Sequence, residues 1–179
     1  MRKLIIQLDR GFVNGPLASP LVLRPIRRWV LRALRYNVNA TACIAERCYL
    51  GSRRVSFAAG SFANVGCYFD GNADIRIGEN VQIGMWTLMV TASHEISASN
   101  VRRAGSDVAA PINVGDGAWI GARCTVLPGV IVGKGAVVGA GSLVTKECEP
   151  DGVYFGAPAK KVRSLIGNAA MPSAVGHVR

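Results

Sequence analysis

The chain of 179 residues holds two histidines, His94 in its body and His177 near its end. An imidazole changes charge near neutral pH, so a lone histidine is a natural group for taking a proton from a reacting hydroxyl. One imidazole in the body cannot build the three-histidine zinc site of a carbonic anhydrase. The five cysteines, Cys43, Cys48, Cys67, Cys124 and Cys148, contain no C-x-x-C pair. They suggest neither zinc nor a disulfide framework and read as small core residues. His94 stands in TLMVTASHEISASN, residues 87–100, where a regular pattern breaks off.

That pattern has a period of six. From residue 112 the chain reads INVGDG AWIGAR CTVLPG VIVGKG AVVGAG SLVTKE, with aliphatic residues at Val114, Ile120, Val126, Val132, Val138 and Val144. Neither a helix nor a long alternating strand has this period, so the units are short strands separated by turns, each with one obligatory inward side chain. Three units close a triangular coil, and coils stack at about 4.8 Å. Upstream, Ile77, Ile83 and Met89 keep the step, and Ile44, Leu50, Ser56, Phe62 and Tyr68 keep it more loosely, with a change of frame before Ile77. Between Met89 and Val114 the interval is not a multiple of six, and residues 95–111, EISASNVRRAGSDVAAP, are read as a polar loop extruded from the coil.

Three segments follow from this: a helical cap over residues 1–39, a coil over 40–150, and an extension with a loose tail over 151–179. In SPLVLRPIRRWVLRALRY the apolar Ile26, Trp29, Val30, Leu31 and Leu34 alternate with Arg24, Arg27, Arg28, Arg32 and Arg35. Such a helix either covers the open end of the coil or lies on an anionic membrane surface. The formal net charge of +10, from 21 Lys and Arg against 11 Asp and Glu, calls for an anionic partner. No recognition helix or RNA-binding signature accompanies it, so nucleic acid is set aside. The apolar start MRKLIIQLDR is too short for a secretory leader, and no run is long enough to span a bilayer, which makes the cytoplasm the expected location.

The phrases WIGA, PGV.VG, VVGAGS.VTK and GAPAK.VR, in that order within residues 44–163, resemble the hexapeptide-repeat acyltransferases, specifically the maltose, galactoside and polysaccharide O-acetyltransferase group. The resemblance implies an all-β solenoid, a left-handed parallel β-helix, assembled as a homotrimer with active sites between subunits. It implies acetyl-CoA as co-substrate, with no metal, and His94 as the base that deprotonates an acceptor hydroxyl. Asn64 matches an acceptor-binding asparagine, though a turn asparagine would look the same. Asp70 is placed to hold a sugar hydroxyl, to orient the base, or to form a plain Asp-Gly turn. Trp119, Gly121, Ala122, Gly139 and Ala140 match the pantetheine path, and Thr145, Lys146, Lys160 and Arg163 match polar positions near the nucleotide. Where relatives read Gly-Pro-Asn, this chain has Met85 and Trp86, which suit a sugar face or a more apolar acceptor such as a hydroxylated antibiotic. A non-catalytic solenoid scaffold is the reading from a different class.

Overall fold

The computed structural model describes residues 2–166, and the tail that carries His177 lies outside them. From Asn37 onward most of the strands are only two or three residues long. A strand this short buries nothing alone, so each becomes stable only when the next coil stacks on it. The stacking makes three parallel faces of a prism. The first face holds Asn37–Val38, Val55–Phe57, Ile75–Ile77, Ile112–Val114 and Ile131–Val132. The second begins Cys43–Ile44, Phe62–Ala63, Gln82–Ile83, Trp119–Ile120, Val137–Val138, and ends on the antiparallel pair Gly152–Phe155 and Lys160–Ser164. The third holds Tyr49–Leu50, Tyr68–Phe69, Leu88–Met89, Thr125–Val126 and Leu143–Val144.

The inward column from Val114 to Val144 is the one the six-residue step predicts, each member at most 3 % exposed. Earlier in the chain the expected frame is off by one residue. The buried positions are Phe57, Ala63 and Phe69, while Ser56 and Phe62 are half-buried and Tyr68 is exposed. The step from Leu50 to Phe57 is seven residues instead of six, the extra one falling in the three-residue strand Val55–Phe57, and in a strand a one-residue slip exchanges inside for outside. Phe57 and Phe69 then meet edge to face inside the prism, ring centroids 5.3 Å apart. Each such side chain removed from water contributes about 1.5–3 kcal/mol.

At the corner between the second and third faces, coils come closest at glycines. A Cβ on Gly121 would lie 2.5 Å from the Ala140 nitrogen, and one on Gly84 would lie 2.4 Å from the Ala122 nitrogen. Four cysteines, Cys48, Cys67, Cys124 and Cys148, are buried with free thiols, as small core residues should be.

The cap consists of α1 (Arg2–Asn14) and α2 (Arg24–Ala33), joined through a short turn of 3-10 helix. Arg27, expected on the basic face of α2, is instead only 3 % exposed. Its guanidinium donates to the carbonyls of Leu17, Ile44, Ser19 and Val22, at 2.8, 3.2, 2.7 and 3.2 Å. Those carbonyls belong to the coil end and the inter-helix turn, which no further strand pairs, so a multidentate donor satisfies them. Burial lowers the Arg27 pKa. None of the described helices is long and apolar enough to cross a membrane.

The extruded segment is no irregular loop. Ala92–Ile96 and Ala104–Ala109 pair as an antiparallel hairpin. Backbone leaving the coil loses its inter-coil partners, and pairing with itself restores them. The hairpin starts before residue 95, so His94 lies within it rather than at the end of a hexad.

Candidate active site

His94 faces Asp107 across the hairpin, and the strand register pairs the two residues directly. The imidazole Nδ1 and the carboxylate Oδ1 are 2.9 Å apart, with side-chain exposures of 48 % and 91 %. With the Nδ1 proton donated to the carboxylate, Nε2 keeps its lone pair, which is the arrangement a proton acceptor requires. Asp107 carries no signal in the sequence, because its register against His94 depends on a turn whose length and bulge the residue types do not specify. A cleft of about 450 Å³ opens beside the pair, lined by Asn72, Ser93, Val108 and neighbouring backbone.

The root of the hairpin is held by Asp70, which is 7 % exposed. Its carboxylate accepts from the Thr91 N–H at 2.9 Å, the Thr91 hydroxyl at 2.5 Å, the Ala92 N–H at 3.1 Å and the Asn72 side chain at 3.2 Å. Burial by itself would raise this carboxyl, but the bonds from Thr91, Asn72 and Ala92 outweigh it and hold the pKa below the usual carboxylate value. Within one chain, then, Asp70 fixes the start of the strand bearing His94 rather than bonding to the imidazole.

A second feature runs down the corner between the second and third faces. Trp119, Gly121, Ala122, Gly139 and Ala140 line one groove of about 430 Å³, together with Asn64, Met85 and Phe155. The five residues matched to the pantetheine path are thus brought together. Gly121 and Gly139 also have a packing reason for their identity, since a Cβ on Gly139 would strike the Phe155 ring. Asn64 and Met85, expected at the acceptor, flank the groove, and the Asn64 side-chain oxygen accepts from the Val65 N–H at 2.8 Å. Trp86 takes a left-handed backbone, φ 60, and lays its ring over Gly66 of the preceding coil. It stands at this corner, whereas His94 leaves from the corner between the third and first faces.

Four residues expected near the nucleotide do not line the groove. Thr145 and Lys146 are exposed beyond the strand Leu143–Val144, at the same corner as His94. Lys160 pairs with Phe155, which does line the groove, and Arg163 pairs with Val153 one step away.

Residues 111–146 match the bacterial transferase hexapeptide family (six repeats). The chain is 34 % identical over 130 residues to a galactoside O-acetyltransferase of Lactococcus lactis, covering 68 % of this chain and 62 % of that protein. Across the curated relatives it matches, the chain spans about half to three fifths of their length. Among solved structures, a hexapeptide-repeat acetyltransferase of Vibrio cholerae complexed with acetyl coenzyme A superposes with a TM-score of 0.74 at 31 % identity, over 90 % of this chain and 89 % of that one. A maltose O-acetyltransferase of Clostridium difficile gives 0.69 at 29 % identity, over 89 % and 88 %. The repeat seen in sequence, the prism it builds and a 31 % match running nearly the length of both chains have one meaning: the chain belongs to the hexapeptide-repeat acetyltransferase family.

Proposed function

We propose that the protein transfers an acetyl group from acetyl-CoA to a hydroxyl of a sugar or glycoconjugate precursor, with His94 as general base, in a homotrimer whose active sites lie between subunits. The observation that carries this is the His94–Asp107 pair at one corner of the prism with a narrow, largely apolar groove along another. An alcohol is too weak an acid to attack a thioester unaided, so a base must take its proton as the new bond forms. Nε2 of His94 accepts that proton while Asp107 holds Nδ1. The oxygen adds to the thioester carbonyl, the C–S bond breaks, and the imidazolium returns its proton to the departing thiolate.

Within one chain the base and the groove occupy different corners, so neither alone holds both reactants. A threefold arrangement sets the His94 corner of one copy against the groove of the next, where Asn64, Met85 and Trp86 would face the acceptor. The same arrangement would bring Thr145 and Lys146 of one copy towards a nucleotide whose phosphates Lys160 and Arg163 of the next attract. The acetyl-CoA complex of the Vibrio structure supports the co-substrate, and the galactoside and maltose relatives support a sugar acceptor. Exposed Met85 and Trp86 beside the groove favour a second acceptor class, a hydroxylated natural product. On α2, exposed Ile26 and Trp29 flanked by Arg28 and Arg32 support peripheral contact with an anionic membrane from the cytoplasmic side.

The test pairs His94→Ala with coenzyme A binding. Transfer to a good acceptor should fall by about 10²- to 10⁴-fold, while the thermal stabilisation given by coenzyme A persists. Undiminished turnover in the variant would remove His94 from the chemistry. A wild-type protein left unstabilised by millimolar coenzyme A would instead be a scaffold.

A further inference from the structure

The corner from which His94 departs continues upward through two earlier coils, and its side chains change character along the way. Asn72, in the coil before the hairpin, lines the His94 cleft and also a second cleft of about 650 Å³. That second cleft is rich in arginine: Arg10, Arg53 and Arg54 line it against a single carboxylate, Asp9. The two corners are stitched together, since Arg54 Nη1 donates to the Asn72 carbonyl at 2.7 Å and the Ser52 hydroxyl donates to the Gly71 carbonyl at 2.7 Å. Arg10 is fixed by donating its Nε to the Gly51 carbonyl. Arg53 lies over the Tyr36 ring, 5.6 Å from its centroid, and pairs with Asp9 at 3.0 Å.

We infer that this cleft binds a phosphate carried by the acceptor, so that the substrate is an anionic glycosyl unit rather than a neutral glycoside. The inference rests on His94 being the base that receives the acceptor. A guanidinium has five donors, and the contacts above occupy only part of that capacity, so the cleft offers several unspent N–H groups and an excess of positive charge. Planar, forked donors fit phosphate oxygens two at a time. Two coil steps of about 4.8 Å separate the corner at Arg53 and Arg54 from the hairpin root, a reach of roughly 10 Å. A hexose with its reacting hydroxyl at Nε2 and a phosphate on its far side has that extent. Asp9 occupies Arg53 in the meantime and is the group the incoming phosphate displaces.

Matched acceptors decide it. Acetyl transfer to glucose, glucose 1-phosphate and glucuronic acid should rank the phosphate first, with kcat/KM at least about tenfold above the neutral sugar at low ionic strength and an advantage that shrinks with added salt. The phosphate-to-neutral ratio should collapse towards one in the Arg53→Gln, Arg54→Gln double variant and rise in Asp9→Asn. A carboxylate ranking above phosphate, a ratio near one in the wild type, or a ratio that survives the double variant would each overturn the inference. Titration calorimetry of glucose 1-phosphate without acetyl-CoA separates this from the reading it rests on. Binding lost in the double variant supports the cleft even if no acetyl moves, and no binding refutes it even if neutral sugars are acetylated.

Discussion

In the proposed mechanism the contact between His94 and Asp107 would decide which imidazole nitrogen is free to accept a proton. Because Asp107 is nearly fully exposed, the pair contributes only about 0.2–1 kcal/mol in the isolated chain. Asp107→Ala should therefore lower kcat by up to about fivefold with little change in KM, and nitrogen NMR of His94 should show the tautomer ratio moving away from the Nδ1–H form. An unmoved tautomer ratio would reduce Asp107 to a surface neighbour. Asp70 acts one step further back, through the hairpin root. Its folded-state pKa lies below the ordinary value of 3.8, so the folded protein binds this proton less readily than the unfolded chain. Its contribution is complete above that ordinary value and is lost as pH falls through the depressed one. Asp70→Asn should cost about 1–3 kcal/mol at neutral pH, and its melting temperature should fall less steeply on acidification than the wild type. Parallel acid limbs would show that the carboxylate is not what holds the root. Of these three residues the sequence exposes His94, by its solitude, and Asp70, as a candidate for an acceptor hydroxyl, for orienting the base or for a plain turn, but not Asp107. Asp70 is visible as a polar residue beside a turn but not as an anchor, because its partners lie in the next coil, 21 and 22 residues away.

At the scale of elements, the coil was legible wherever its corners kept one length. From Val114 onward every corner has the same number of residues and the inward column follows the step of six. Between Leu50 and Phe57 the step is seven instead of six, and residue types could not reveal it, since Phe57 with Phe62 and Tyr68 with Phe69 offer apolar side chains in either frame. The frame found here makes opposite claims about two phenylalanines. Phe57→Ala should cost about 3–5 kcal/mol, because its ring is 2 % exposed and wedged against Phe69. Phe62→Ala should cost at most about 1 kcal/mol, since that half-buried ring lies on the outer side of its strand beneath Arg24, 5.8 Å away. Denaturant unfolding of the two variants settles the frame, and equal losses would contradict it. The hairpin was hidden for a different reason: its strands bury neither side, so no alternation of apolar and polar residues marks them.

For the whole molecule, the consequential fact is that His94, the proposed base, and the groove stand at different corners of one prism. A chain acting alone would have to carry an acetyl group around a face, whereas a ring of copies brings the unlike corners together at each junction. The two designs differ in how damaged chains complement one another. His94→Ala removes the proposed base but leaves the groove, and Ala140→Trp fills the groove at an exposed position while leaving His94. Each variant should be inactive by itself. Unfolded together in equal amounts and refolded, they should form mixed trimers if the chain assembles as proposed, each junction drawing its base from one copy and its groove from the next. The base is intact in half the copies and the groove in half, independently, so about a quarter of junctions are whole. Recovery of about 25 % of the wild-type rate is therefore expected after mixing, and none when the two homotrimers are combined without refolding. If co-refolding restores nothing although mass measurement shows mixed trimers, the base and groove must act within one chain. The hairpin would then have to swing across a face to reach its own groove, a motion that hydrogen exchange would register at the Asp70 bonds to Thr91 and Ala92.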